Sequence, residues 1–138
     1  EITRTRLQTL ARSVPSGDRS NTEATAARAY WKTWLPPEYE FQRDPARDDA
    51  PNLFLNYGYM VLRAAMARSL VAAGLIPLLG IQHSNRSNSF PLADDLMEPF
   101  RPFVDIAARE LVLLGFCELI RDSKARLLSA LTALCGCE

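Results

Sequence analysis

His83 is the single histidine of the chain, and it stands in a polar run, His83-Ser84-Asn85-Arg86-Ser87-Asn88, that follows an apolar stretch. Asp95 and Glu98 come twelve and fifteen residues later. Three residues apart on a helix, these two carboxylates share one face. A loop imidazole and two helical carboxylates can converge on one divalent cation. An oxygen-rich set with one imidazole suits magnesium or manganese better than zinc or copper. The same residues also have plainer readings. A lone loop histidine is more often solvated than a ligand, and Asp94 with Asp95, close to a helix start, can simply serve the helix dipole.

Glu23 is a further acid of interest. It closes Ser20-Asn21-Thr22-Glu23, which has the form of a capping box. The third helical position is where a capping glutamate belongs, so the pattern by itself favours a cap over a ligand. Among the basic residues, Arg63 lies seven past Asn56 and shares its helix face, opposite much of the leucine stripe. Arg86 is three past His83, and Arg101 is three past Glu98. Arginines beside a metal centre fit phosphate binding, and surface ion pairs account for them equally well. Tyr30, Trp31, Tyr57 and Tyr59 can stack on bases, although core packing is the commoner use of aromatics at helical spacing.

Helices must position these groups. Leu7 to Val14 reads as a short helix stopped by the turn Pro15-Ser16-Gly17-Asp18. A second helix opens at the capping box and runs to about Trp34, ended by Pro36-Pro37. Residues 35–51 hold four prolines and many charges and read as an irregular loop. The longest helix begins at Leu53 and buries Leu55, Tyr59, Leu62, Met66, Leu70 and Ala73, with Gly74 as its C-terminal cap. Leu75 to Gln82 is expected to be extended or tightly turned. Pro91 suits the first turn of the next helix; Pro99 and Pro102 predict a kink or break after it. Phe103, Ile106, Ala107, Glu110, Leu111 and Leu114 carry the pattern to Gly115, and a last helix spans about Ser123 to Leu134. Strand signals are nearly absent. The expected fold is all-α, in a single domain over residues 1–138.

Composition narrows the class. The chain has 138 residues, 48% hydrophobic and 23% charged, with sixteen basic and sixteen acidic side chains; that describes an ordinary globular domain rather than a disordered one. Zero formal charge does not advertise nucleic-acid binding, but a local patch matters more than a total. The most apolar stretch, Tyr57 to Gly80, is broken by Arg63, Arg68 and Pro77, so no membrane span is expected. Three cysteines, with Cys117 inside an apolar helical pattern, fit a reduced, cytoplasmic compartment. Cys135 and Cys137 read as a helix end rather than half of a metal site. The start at Glu1 suggests a piece of a longer protein.

Three blocks resemble one family. Leu55-Asn56-Tyr57-Gly58-Tyr59 with its continuation to Ala65, the stretch Ala72 to His83, and Ser89 to Asp105 (SFPLADDLMEPFRPFVD) resemble signatures of the CRISPR-associated adaptation integrases, the last in the form of type II systems. The resemblance covers about residues 20 to 115. It implies the C-terminal, helical catalytic domain of a prokaryotic metal-dependent DNA endonuclease and integrase, which joins foreign 3′-hydroxyl ends to the CRISPR repeat. It further implies that Glu23, His83 and Glu98 are catalytic and hold Mg2+ or Mn2+, with Asp95 binding or orienting beside them. Asp95 is preferred to Asp94 because it shares a face with Glu98. Asn56, Tyr57, Arg63, Asn85, Arg86 and Arg101 are the candidate DNA contacts. Implied partners are double-stranded DNA, a second copy in the intact family, and a small ferredoxin-like adaptation protein. The family's N-terminal β-rich domain has no counterpart here, so a non-catalytic helical module binding DNA or protein is the alternative.

Overall fold

The computed structural model describes residues 2–15, 17–82 and 87–134. Among these residues there are six α-helices and no strand, so the all-α expectation holds. Contacts divide the chain into two compact units, residues 1–44 and 45–138.

In the first unit α1 (Ile2–Ser13) packs on α2 (Thr22–Trp34). The turn between them closes when the Asp18 amide donates to the Pro15 carbonyl at 3.0 Å. It takes positive φ at Gly17 (79°) and Asp18 (35°). The turn sets the cap of α2 differently from the expected capping box. Asp18 accepts from the Thr22 amide at 2.7 Å and the Glu23 amide at 2.9 Å. Ser20 instead shares a hydroxyl–hydroxyl bond of 2.8 Å with Thr22. Asn21, at the N-cap, is left-handed and makes no side-chain cap bond. An ionised carboxylate is the stronger acceptor for orphan amides and is favoured by the helix dipole, which explains why Asp18 wins. At the other end of α2, Trp31, Trp34 and Phe41 pack edge to face or tilted, with centroids 4.8 to 5.9 Å apart, and Tyr30 meets Trp31 at 4.9 Å. Trp34 and Leu35 are the buried residues of this cluster.

The second unit is organised by α3 (Ala50–Ala72), which packs against α4 (Pro91–Met97), α5 (Arg101–Leu113) and α6 (Arg121–Leu134). α3 starts three residues before Leu53, so the irregular stretch ends at Asp49; it contains one 3₁₀ turn, Pro37–Tyr39. Leu55, Leu62 and Leu70 are buried as the periodicity predicts, joined by Phe54 and Asn52; Ala73 is exposed. Gly74 and Gly115 end α3 and α5 alike. Each has positive φ, and the following residue's amide reaches back five residues, Leu75 to Leu70 at 2.9 Å and Phe116 to Leu111 at 3.0 Å. Gly58 is where α3 and α5 approach: a Cβ there would stand 2.4 Å from Val104 Cγ1.

The prolines act as expected. Pro91 opens α4, and a 3₁₀ turn over Glu98–Phe100 separates it from α5. On α5 the buried face is Val104, Asp105, Ala107, Ala108, Leu111 and Val112. The stripe read from the sequence is therefore half wrong: Phe103, Ile106 and Leu114 are exposed. α3 and α6 occupy the opposite side of α5, and their position decides which of its apolar residues leave water. Cys117 lies beyond the Gly115 cap, free and exposed, rather than within a helix. Among the described residues no helix is long and apolar enough to cross a membrane.

Candidate active site

The two adjacent acids of α4 do different work. Consecutive helical residues point about 100° apart, so Asp94 and Asp95 reach different partners. Asp95 Oδ2 accepts the backbone amides of Ile81 and Gln82, the latter at 3.1 Å. It thereby holds the chain immediately before His83 against α4. Asp94 faces α3 instead. Arg63 donates to it twice, Nε to Oδ1 at 2.6 Å and Nη2 to Oδ2 at 3.0 Å. Asn88 completes a triangle: its amide donates to Asp94 Oδ2 at 2.7 Å, and its carbonyl oxygen accepts from Arg63 Nη2 at 2.6 Å and from the Phe90 amide at 3.0 Å. The Asp94 hydrogen bond is the main cause that raises the Arg63 pKa above its ordinary value.

Glu98 sits one turn beyond Asp95, where α4 gives way to the 3₁₀ turn. Its side chain is half exposed, and Oε2 pairs with Arg101 Nε at 3.0 Å. The Arg101 guanidinium lies 4.9 Å from the centre of the Tyr59 ring, and the Tyr59 hydroxyl donates to buried Asp105. Glu98 Oε1 has no partner among the described residues. In the first unit, the Glu23 carboxylate is exposed and likewise unpartnered among the described residues, because Asp18 performs the capping. Both acids thus present open, hard oxygen donors, the type that suits Mg2+ or Mn2+. Among the described residues no group of three or more His, Cys, Asp or Glu side chains is close enough to hold a metal ion. His83, Asn85 and Arg86 lie outside the described residues, as do Cys135 and Cys137.

The remaining candidate DNA contacts are unequal. Asn56 donates its side-chain amide to the carbonyls of Pro45 (3.0 Å) and Arg47 (3.4 Å), tying down the segment before α3. Arg63 has its fork on Asp94 and Asn88, so a phosphate would have to displace a carboxylate. Tyr57 is half-buried, with Lys124 Nζ 5.8 Å from its ring centre. Arg101 is half-buried beside Glu98. Tyr30 and Trp31 pack on other aromatics, the plainer of their two readings. Asn88 escaped the sequence reading; a polar loop residue carries no periodic signal, and only its placement between α3 and α4 distinguishes it. The split role of Asp94 and Asp95 was foreshadowed by their adjacency.

The family profile described as "CRISPR associated protein Cas1" matches residues 4–116. The chain belongs to the Cas1 family. Curated Cas1 relatives include a CRISPR-associated endonuclease from Neisseria meningitidis serogroup C, 46% identical over 101 residues (73% of this chain, 32% of the relative). A second, from Pyrobaculum aerophilum, is 35% identical over 105 residues (76% of this chain, 36% of the relative). This Cas1-family chain therefore spans about a third of the length of these curated relatives. Among solved structures it is similar to a "Casposase bound to integration product", with a TM-score of 0.71, 26% identity, and coverage of 94% of this chain and 43% of that one.

Proposed function

We propose that this chain carries the helical catalytic part of a DNA endonuclease and integrase of CRISPR adaptation. The observation that carries the reading is the Asp95 carboxylate on the amides of Ile81 and Gln82. It ties the residues next to His83 to the helix face that bears Glu98, with an open oxygen on Glu98 one turn away. The names of the curated relatives as endonucleases and of the structural relative as a casposase agree with this.

Glu23, His83 and Glu98 would hold Mg2+ or Mn2+ as protein ligands, with Asp95 orienting the histidine's segment. The chemistry such a cation supplies is a lowered pKa for the attacking hydroxyl and neutralised charge on the phosphate oxygens. The reaction is transesterification. A foreign 3′-hydroxyl attacks a repeat phosphodiester; a new phosphorus–oxygen bond forms, the old bond to the repeat's 3′-oxygen breaks, and the released oxygen takes up a proton. Water as nucleophile gives cleavage instead. Arg101 is ion-paired with one oxygen of Glu98 while the other stays open, and Arg86 with Asn85 would grip phosphate beside His83. DNA, a second copy, and a ferredoxin-like adaptation protein are the proposed partners of the whole protein.

Strand joining and cleavage assayed in Mn2+ test the reading. Glu23→Ala, His83→Ala and Glu98→Ala each should lose both activities with helicity near normal; joining by all three variants at the parent's rate overturns it. A second reading, kept as the alternative, is a non-catalytic DNA-binding module. It requires DNA binding that falls with salt yet ignores chelators.

A further inference from the structure

We infer that Arg63 is a positioning residue: with Asp94 and Asn88 it forms a brace that holds the far stem of the His83 segment and so tunes how tightly the chain binds a divalent cation. The inference rests on the proposed role of His83 as a ligand.

The brace is a closed triangle of three side chains from three elements. Arg63 projects from the middle of α3, Asp94 from α4, and Asn88 from the chain between them. Four hydrogen bonds of 2.6 to 3.0 Å join them, two of them the parallel pair of a guanidinium and a carboxylate. The Asp94 side chain keeps 15% of its exposure, so solvent competes weakly for it. Phe90 covers the guanidinium, its ring centre 5.4 Å from Cζ, and donates its amide to the Asn88 carbonyl oxygen. A lysine could not serve, because only the planar fork reaches both carboxylate oxygens and the amide oxygen together.

What the brace holds follows from connectivity. Asp95 fixes the amides of Ile81 and Gln82. Asp94 and Arg63 fix Asn88. Residues 83–87 separate the two anchors, so neighbouring acids of one helix tie down both stems of the segment that begins with His83. A ligand whose flanking residues are fixed has less conformational freedom to give up on binding. Groups behind a metal ligand commonly change affinity by about 10- to 100-fold when lost. Such a residue acts without touching metal or DNA, which sets Arg63 apart from Arg86.

The test uses Arg63→Met, which keeps the stem and removes the fork, and Asn88→Ala, which leaves the Arg63–Asp94 pair intact. Mn2+ affinity is measured by calorimetry, and hydrogen exchange is followed across residues 81–90 with α5 as the internal reference. We expect both variants to bind Mn2+ roughly tenfold more weakly, and exchange to rise at 81–90 while α5 stays protected. Arg63→Lys should not rescue. Affinity within twofold of the parent in both variants overturns the inference, whether or not exchange rises. Should the parent itself bind no Mn2+, the proposed metal centre fails; faster exchange then leaves the brace standing without a metal role, and unchanged exchange removes the brace as well.

Discussion

Arg63 and Asp94 stand 31 residues apart in the chain and meet through two parallel hydrogen bonds, Nε to Oδ1 and Nη2 to Oδ2. Because Asp94 lies in the first turn of α4 and Arg63 lies mid-α3, the pair locks the orientation of the short helix that also carries Asp95 and leads into Glu98. A seven-residue helix has little stability of its own, so its direction depends on such contacts.

Arg63→Ala, Asp94→Ala and the double variant should therefore show coupling. We expect an interaction energy of roughly 1–2 kcal/mol from urea unfolding, above the value of an exposed ion pair, because the pair is bidentate and partly shielded. Independent, additive effects would mean that the pair does not hold α4.

Gly58→Ala should destabilise the second unit by about 1–3 kcal/mol, as overpacking does. The added Cβ would lie 2.4 Å from Val104 Cγ1, and a β-branched, buried valine has few rotamers with which to yield. The compensating pair Gly58→Ala with Val104→Ala should recover part of the loss. Thermal melts followed at 222 nm read the difference; no change in the single variant would refute the close approach of α3 and α5.

The cap of α2 should be pH-dependent. Asp18 is held below the usual aspartate range, first by the Glu23 amide; desolvation opposes this as the next-largest effect, and hydrogen bonds from Thr22 and Ser20 add to the lowering. A depressed folded-state pKa means that the stabilisation is fully present above the ordinary aspartate pKa and is lost as pH falls through the folded value. Amide signals of Thr22 and Glu23 should shift with an acid midpoint below that of an exposed aspartate. Asp18→Asn should remove that titration while keeping much of the helix, because asparagine also caps well. A midpoint at or above the ordinary value contradicts the cap.

Much of this protein was legible in local pattern. Helices repeat every 3.6 residues and are started and stopped by neighbours in the chain, so Pro91, Gly74, Gly115 and the leucines of α3 announced their roles without any knowledge of partners. The three family blocks were legible in the same way, and the family match bears them out. Where chain-local rules competed, the reading slipped. Ser20 had the capping spacing, but Asp18 reached the same amides from the preceding turn with a charge.

The sequence by itself determined an all-α chain of the Cas1 family, the glycine stops of α3 and α5, and a short list of candidate acids with one histidine. Tertiary structure decided which way each group turns. Phe103 and Ile106 are more apolar than Asp105, yet Asp105 is buried because α5 presents that face to Tyr59 on α3, 46 residues away. Asp94 and Asp95 are chemically identical neighbours, and only the rotation of α4 sends one to Arg63 and the other to the amides before His83. Contacts between distant segments depend on how helices pack, and periodicity along one helix carries no information about the azimuth of its neighbours.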